Sequence, residues 1–239
     1  MRIDVHFTPA GLAPGDVSGR PVIVIDALRA TTTVVTALGN GAKAVIPTAT
    51  PEEAVRVASN LEKNGVLLAG ERKSLKIEGF NLGNSPVEMR PETVAGKTIV
   101  LATTNGTPAL VAAAGGEPVL VGAAANFTAT AERARALLQD GKDLIILCSG
   151  RERQFALEDA YTAGRLVKAI RKGLKPVELN DAAVVAVALT GVYKNWVEAF
   201  EASAAARQLE EVELSADVAF AAKPDRFQVV PQYLDRRIT

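Results

Sequence analysis

The chain has 239 residues, and its 27 lysines and arginines balance its 27 aspartates and glutamates, so the formal net charge is zero. This balance argues against bulk binding of nucleic acid or of anionic membranes, because both usually need a basic excess. No apolar run approaches the roughly 20 residues of a membrane-spanning helix, and the N-terminus lacks the apolar core of a signal peptide. We expect a cytoplasmic protein that binds neither nucleic acid nor membranes, with one domain over residues 1–239. A division near residues 115–125 and a homodimer stay open.

Cysteine and histidine each occur once, as Cys148 and His6. The chain therefore cannot form an intramolecular disulfide, a cysteine zinc cluster or a two-histidine metal site. A Ser-His-Asp triad would have to use His6. Acid–base chemistry consequently falls mainly to carboxylates, lysines or metal-bound water. Cys148 follows an apolar run, where cysteine is usually a buried small hydrophobe, so we interpret it as a packing residue.

Apolar, β-branched runs alternate with stretches of helical periodicity along the chain. The predicted strands are 1–7, 22–25, 44–46, 66–69, 98–102, 119–121 and 143–147, with an edge strand at 227–230. The predicted helices are 31–38, 51–64, 107–114, 128–139, 154–172, 182–189 and 193–208. This alternation predicts an α/β fold with three layers, α/β/α, around a largely parallel or mixed sheet. The similarity of 22–38 to 98–114 suggests two related halves.

The most informative segment is the end of the predicted strand 22–25. Asp26 follows this strand, Arg29 comes within one turn, and Thr31 and Thr32 stand at the start of the next helix. A helix start offers unpaired N–H groups and partial positive charge, which favour phosphate or sulfonate. The segment therefore predicts a site for an anion and a metal ion. The alternative is that Asp26 merely caps the helix.

Two further predicted strands end in the same way, in polar turns that contain glycine and precede a helix. In open α/β sheets, ligands bind at the carboxyl ends of the strands, so we expect these turns to converge on one crevice. The candidate residues at these two turns are Thr104, Asn105, Gly106, Ser149 and Arg151, with Glu158 and Asp159 on the helix that follows.

A fourth predicted strand, 66–69, is followed by Glu71 and Arg72, which add another acid and base at a strand end. The loop 79–86 comes next and contains Asn81 and Asn84. Its glycines let the backbone approach a ligand closely. The alternative interpretation of this loop is a turn before a helix that begins near residue 85.

In order and spacing, these segments resemble the 2-phosphosulfolactate phosphatase family over about residues 4–231. The segments that carry the resemblance are IDALRATTT at 25–33, GER at 70–72, GFNLGNSP at 79–86, TTNGT at 103–107, CSGR at 148–151 and ED at 158–159. The resemblance implies a magnesium-dependent phosphohydrolase that converts 2-phospho-3-sulfolactate and water to 3-sulfolactate and phosphate, a step in coenzyme M synthesis. It also implies an α/β fold of the family's own kind. Asp26 lacks the second aspartate, two residues on, that haloacid-dehalogenase-type phosphatases carry.

The residues themselves fit that chemistry. A small anionic phosphorylated substrate needs cationic partners, and magnesium prefers oxygen ligands. The candidate metal ligands are Asp26, Glu71, Glu158 and Asp159. The candidate catalytic residues are Asp26, Arg29, Glu71 and Arg72. The candidate substrate-binding residues are Thr31, Thr32, Asn81, Asn84, Thr104, Asn105, Gly106, Ser149 and Arg151.

Three choices stay open from the sequence alone. Asp26 either binds the metal or attacks phosphorus as a nucleophile. The substrate is either phosphosulfolactate or another small phosphorylated acid. The third alternative is a non-catalytic module that binds anions at its helix starts.

Overall fold

The computed structural model describes residues 1–13, 15–61 and 65–239. The described residues form a single mixed sheet of 11 strands. The strands are β1 (Arg2–His6), β2 (Val22–Ile25), β3 (Ala44–Thr48), β4 (Val66–Arg72), β5 (Leu75–Lys76), β6 (Thr98–Ala102), β7 (Val119–Gly122), β8 (Leu144–Cys148), β9 (Glu178–Leu179), β10 (Gln232–Leu234) and β11 (Arg237–Ile238). The predicted α/β class is confirmed.

Helices connect most of these strands. They are α1 (Ala30–Gly39), α2 (Pro51–Ser59), α3 (Pro91–Val94), α4 (Gly106–Ala112), α5 (Phe127–Gln139), α6 (Leu157–Arg171), α7 (Asp181–Val192), α8 (Trp196–Glu201), α9 (Ala204–Glu211) and α10 (Ser215–Ala221). The last three residues of the predicted helix 51–64 lie outside the described part of the chain. Within that part, no helix combines the length and apolar character needed to cross a membrane.

The sheet consists of two blocks of parallel strands joined by a hairpin. One block has the order β4-β6-β3, with β5 at its outer edge, and the other has the order β7-β2-β8-β1-β9. The hairpin β10–β11 lies between them, with β11 antiparallel to β3 and β10 antiparallel to β7. The two blocks therefore run in opposite directions along the sheet. Residues 115–125, the alternative domain boundary, contain β7 inside this sheet.

The predicted edge strand 227–230 is wrong, because no strand forms there and the hairpin begins after Pro231. Phe227 and Val229 instead pack their side chains against the apolar core. The hairpin turns at Asp235 and Arg236, both with positive φ (49° and 62°). A two-residue turn of this handedness matches the twist of paired strands, but it usually carries asparagine or glycine. The sequence therefore gave little indication of it.

Side chains alternate between the two faces of the sheet, as expected for strands buried on both sides. In β2, Ile23 and Ile25 pack in the same apolar cluster as residues of α5, α6 and α7. Val22 and Val24 pack in a second cluster with residues of α1 and α4. A third, smaller cluster joins Ala54 of α2 to β6 on the other face of the smaller block.

The sheet curves around α1 and α4, because the second cluster takes side chains from both blocks. In a flat sheet, β2 and β6 would lie five strand spacings apart, or about 24 Å. Yet the helices that follow them touch. A Cβ on Gly106 would lie 2.5 Å from Cβ of Ala30 and 3.0 Å from Oδ2 of Asp26. Only glycine permits this close approach, which brings the two strand ends together.

The C-terminal part is more segmented than predicted. The single helix expected over 193–208 is wrong, since the structure has α8 and α9 instead. The hydroxyl of Ser203 accepts the backbone N–H of Ala206 at 3.0 Å and begins α9 as its N-cap. Serine in this role competes with a continuous helix. The sequence patterns do not predict the helix α10, whose residue Asp217 pairs with Arg29.

Candidate active site

A cavity of about 310 Å³ lies where β2, β4, β6 and β8 end. Eleven of the residues predicted from the sequence line it: Asp26, Arg29, Glu71, Arg72, Asn84, Thr104, Asn105, Ser149, Arg151, Glu158 and Asp159. The structure therefore brings together side chains from both blocks of the sheet.

Two predicted substrate-binding threonines do not line the cavity but shape the backbone behind it. The hydroxyl of Thr31 donates to the carbonyl of Asp26 at 2.9 Å and accepts its N–H at 3.0 Å. The hydroxyl of Thr32 donates to the carbonyl of Ala27 at 2.8 Å. Both threonines are buried, so their contacts hold the turn after β2 rather than face a ligand.

Asn81 and Gly106 also lie away from the lining. Asn81 is exposed, and its Oδ1 accepts the N–H of Leu68 at 2.8 Å, which fastens the loop 79–86 to β4. Gly106 begins α4 and serves the close helix contact described above. The structure thus gives both residues positioning roles.

Asp26 is a buried carboxylate on the cavity wall. Its Oδ1 accepts the backbone N–H of Ala30, the first residue of α1, at 3.1 Å. Burial raises the pKa of Asp26 to about 6, and the negative charge of Glu71 adds to this, whereas the Ala30 N–H and Arg29 lower it. Asp26 therefore bonds the start of α1, as the capping interpretation expected, while it also lines the cavity.

Asp159, in the first turn of α6, ties two strand ends together. Its Oδ1 accepts the N–H of Ala27 at 2.8 Å, and its Oδ2 accepts the N–H of Gly150 and the hydroxyl of Ser149, both at 3.1 Å. Burial raises its pKa well above the usual value, with a further contribution from the charge of Glu158. These bonds fix the turns that follow β2 and β8.

Glu158 is the third buried carboxylate of the cavity. Burial raises its pKa to about 7, and the charge of Asp26 adds to this, whereas Ser203 and Arg151 lower it. Three carboxylates that repel one another in a buried site favour protonation or a bound cation.

The donor atoms fit a small hard cation such as magnesium. All the candidate ligands offer oxygen, and Oδ1 of Asn84 is buried on this cavity without a hydrogen-bond partner among the described atoms. Within the described ranges, no group of three or more histidine, cysteine, aspartate or glutamate side chains is arranged to hold a metal ion. Magnesium usually needs only one or two carboxylates, because water and phosphate oxygens complete its coordination.

Arg29 is held by a residue that the sequence analysis missed. Its Nη1 donates to Oδ2 of Asp217 at 2.6 Å, and its Nη2 donates to the carbonyl of Ser74 at 2.7 Å. Asp217 also accepts the hydroxyl of Ser85 at 2.5 Å. Arg29 and Asp217 are both buried, so the pair fixes the guanidinium on the cavity wall.

Glu71 organises the wall formed by the ends of β4 and β6. Its Oε1 accepts the N–H and the hydroxyl of Thr104 at 3.0 and 2.8 Å, and its Oε2 accepts the N–H of Ser74 at 2.9 Å. These bonds fasten the turn between β4 and β5 to the end of β6. Arg72, the last residue of β4, and Lys73 on the turn are exposed at the rim of the cavity.

The remaining wall connects the turns after β6 and β8 with α9. Oδ1 of Asn105 accepts the N–H of Glu152 at 3.2 Å. The guanidinium of Arg151 donates to Oε1 of Gln208 on α9. No local pattern in the sequence indicated Gln208, because its partner lies 57 residues away along the chain.

His6 and Cys148 lie outside the cavity lining. His6 is half-buried, and burial lowers its pKa. Cys148 is fully buried, and burial raises the pKa of its thiol well above the usual value, so the reactive thiolate is disfavoured. These surroundings agree with a packing role for Cys148.

The fold and the cavity together are those of an α/β enzyme that sets buried carboxylates beside arginines at its strand ends. Comparison with known proteins gives the family. A family model described as 2-phosphosulpholactate phosphatase matches residues 6–236. The chain belongs to this family, as the resemblance predicted, and its activity class is that of the phosphoric monoester hydrolases.

Individual relatives align over nearly the whole chain, and each bears the name probable 2-phosphosulfolactate phosphatase. The protein of Caldanaerobacter subterraneus subsp. tengcongensis is 41% identical over 97% of this chain and 95% of its own length. That of Clostridium tetani is 36% identical over 98% and 97%. That of Thermotoga maritima is 38% identical over 96% and 94%.

Proposed function

We propose that this chain is a magnesium-dependent phosphatase that hydrolyses 2-phospho-3-sulfolactate to 3-sulfolactate and phosphate. The observation that carries the proposal is the cavity, which sets buried carboxylates beside fixed arginines. Its volume of about 310 Å³ suits a small ligand. The names of the relatives supply the substrate. A place in coenzyme M synthesis and a cytoplasmic location belong to the same proposal.

Asp26 and Glu158 are the carboxylates that we assign to the metal, with Oδ1 of Asn84, which lines the same cavity, as a neutral oxygen ligand. Asp159 and Glu71 each accept three hydrogen bonds from the protein. Asp26 uses Oδ1 for one backbone N–H. We therefore assign Asp159 and Glu71 to positioning. When bound, magnesium would offset the negative charge of the phosphoryl oxygens.

The arginines bind the anionic groups of the substrate. Asp217 and the Ser74 carbonyl fix the side chain of Arg29. Its remaining N–H groups can therefore bind the phosphoryl group without further loss of side-chain entropy. Arg151, held by Gln208, lies on another wall. Arg72 and Lys73 at the rim suit the sulfonate and the carboxylate, which lie farther from the reacting bond.

In the reaction, the oxygen of water bonds to phosphorus and the bond between phosphorus and the ester oxygen breaks. One proton of the water then goes to the released ester oxygen, which becomes the hydroxyl of sulfolactate, and the other stays with the phosphate. The uncatalysed barrier for phosphate monoesters is among the highest known, so metal, arginines and backbone donors must act together.

The first test measures phosphate release from 2-phospho-3-sulfolactate after exhaustive metal removal and after magnesium is added back. We expect activity to disappear and then return. Full activity without metal would overturn the magnesium assignment. An absence of phosphate release from all substrates in both conditions would instead support a non-catalytic anion-binding module.

The second test compares substrates. 2-Phospholactate lacks the sulfonate, so we expect its kcat/KM to be lower by at least about tenfold, the scale of one lost charged contact. An equal or higher value would assign the enzyme to other small phosphorylated acids.

A further inference from the structure

The helix α7 is apolar on two opposite faces. Ala183 and Ala186 on one face are fully buried. They lie against α6, where a Cβ on Gly164 would come within 1.9 Å of the carbonyl oxygen of Ala186. This close contact fixes α7 firmly on the molecule, so its outer face is presented in one orientation.

The outer face of α7 is apolar and exposed. Val184, Val185 and Val192 are 54%, 48% and 65% exposed. Ala188 and Gly191 complete this stripe, which follows the three-and-four spacing of helices that pack in pairs. A helix that is apolar all round is normally buried on all sides, and a contiguous exposed apolar patch indicates an interaction surface.

We propose that this face binds the same face of a second copy of the chain, with the two α7 helices antiparallel about a two-fold axis at Ala188. This arrangement sets Val184 against Val192 of the second copy and Val185 against its Gly191. The small side chain of Ala188 at the axis lets the helices approach closely. An isologous contact requires such self-complementarity. The proposal concerns assembly and does not depend on the proposed reaction.

The charges at the ends of α7 favour the antiparallel arrangement. Asp181 is exposed at the start of the helix, and Lys194 is exposed two residues after its end. Antiparallel packing brings Asp181 near Lys194 of the second copy and aligns the helix dipoles favourably. Parallel packing would place Asp181 beside Asp181. Between two copies, these charges therefore favour antiparallel over parallel packing.

The neighbouring edge of the sheet offers a weaker alternative. Its strand β9 has two residues, and Glu178 on it pairs with Arg2 at 3.1 Å. A short edge strand that carries a charged side chain resists edge-to-edge pairing. The exposed face of α7 is consequently the better contact.

Cross-linking tests the proposed axis directly. Cys148 is the only cysteine and is buried, so only an introduced cysteine is accessible to form a disulfide between two copies. We expect Ala188→Cys to form a covalent dimer under mild oxidation at about 100 µM, a concentration that suits a small interface. Val111→Cys, on the exposed face of α4, should stay monomeric. Equal cross-linking of both variants, or of neither, would overturn the proposal.

Charged substitutions at Ala188 test whether dimerisation uses this face of α7, with the dimer dissociation constant measured by sedimentation equilibrium. Ala188→Glu and Ala188→Lys place like charges against each other at the axis, so each should weaken dimerisation at least roughly 100-fold. A mixture of the two should dimerise again, while Val111→Glu should behave as the unaltered chain. A monomeric unaltered chain, or a dimer that survives Ala188→Glu, would contradict the assignment, and so would vesicle binding without self-association.

Discussion

The two sides of the cavity carry charge in different ways. The five-stranded block and α6 supply Asp26, Glu158 and Asp159, all buried and all with a raised pKa. The smaller block supplies Arg72 and Lys73, which are exposed. Buried charges are costly unless they are compensated, whereas water screens exposed ones. The buried side is therefore suited to hold a cation, and the exposed side to attract an anion.

Arg29 connects the two sides. Its partner Asp217 lies in the buried part of the molecule, and its second contact is the carbonyl of Ser74 in the exposed hairpin. If this difference between the two sides holds, substitutions on the buried side will lower activity strongly. Substitutions on the exposed side will lower it only slightly, by an amount that depends on salt.

The largest effect is expected for Asp26→Asn, which keeps the size of the side chain but removes its charge. We expect kcat to fall by at least about 100-fold, the scale of one lost transition-state interaction. Asparagine caps helices as well as aspartate, so a role limited to capping predicts little change. The surface variant Asp140→Asn is the control in steady-state assays. A folded Asp26→Asn enzyme with near-native turnover would show that the buried carboxylate is not catalytic.

Arg29→Ala should rank second, because it removes a fixed cation from the wall. A lost buried pair costs roughly 2–5 kcal/mol in binding, so kcat/KM should fall at least about 30-fold, whereas exposed Arg237→Ala should change little.

Because Arg29→Ala also leaves Asp217 unpaired, it should lower the free energy of unfolding by roughly 3–5 kcal/mol. Asp217→Asn is the second variant, since it keeps a hydrogen-bonding group beside Arg29. It should raise KM more than it lowers kcat. Unchanged kinetics in both variants would remove Arg29 from the site.

Glu158→Gln should change how stability depends on pH. The folded state raises the pKa of Glu158 from 4.5 to about 7, so it retains a proton that the unfolded chain has already released. The contribution of Glu158 to the free energy of unfolding is therefore fully present below about pH 4.5 and is lost as the pH rises through about 7. The shift corresponds to about 3 kcal/mol.

Urea unfolding without metal, at about pH 5 and about pH 8, measures this effect. Between these pH values, the Glu158→Gln variant should lose roughly 2–3 kcal/mol less than the unaltered chain, because part of the full shift is already lost at about pH 5. The exposed Glu132→Gln is the control. Identical losses in all three proteins would mean that Glu158 does not titrate abnormally.

Arg72→Ala tests the exposed side. We expect kcat/KM to fall by less than about tenfold at low salt, and the loss should shrink at high salt because the charge acts through solvent. Measurements at about 0.05 M and about 0.5 M salt give this dependence. A loss as large as that of Arg29→Ala, and insensitive to salt, would remove the distinction between the two sides.

The smallest effect is expected for Cys148→Ala. The thiol is buried in the core, so the variant loses some packing and leaves a small cavity. Activity should stay within about tenfold of the unaltered enzyme. A folded variant without activity would indicate a thiol nucleophile instead.

Much of the site was predictable because it lies on local patterns. A buried strand followed by a polar turn and a helix is readable over about 15 residues. Three such segments gave Asp26, Asn105 and Ser149, and the end of a fourth buried strand gave Glu71. The contacts between turns were not readable. Asp217 lies 188 residues from Arg29, and Gln208 lies 57 from Arg151.

The sequence by itself determined the α/β class, most strand positions and the chemistry of the strand ends. These follow from side-chain periodicity and from the cost of burying polar groups. Only the tertiary structure decided the opposed direction of the two blocks, the hairpin β10–β11 between them and the curvature around α1 and α4. Those features depend on contacts between residues far apart in the chain, and on the space that Gly106 leaves beside Asp26. A local sequence pattern carries no information about such distant contacts, because they form only when the whole chain packs together.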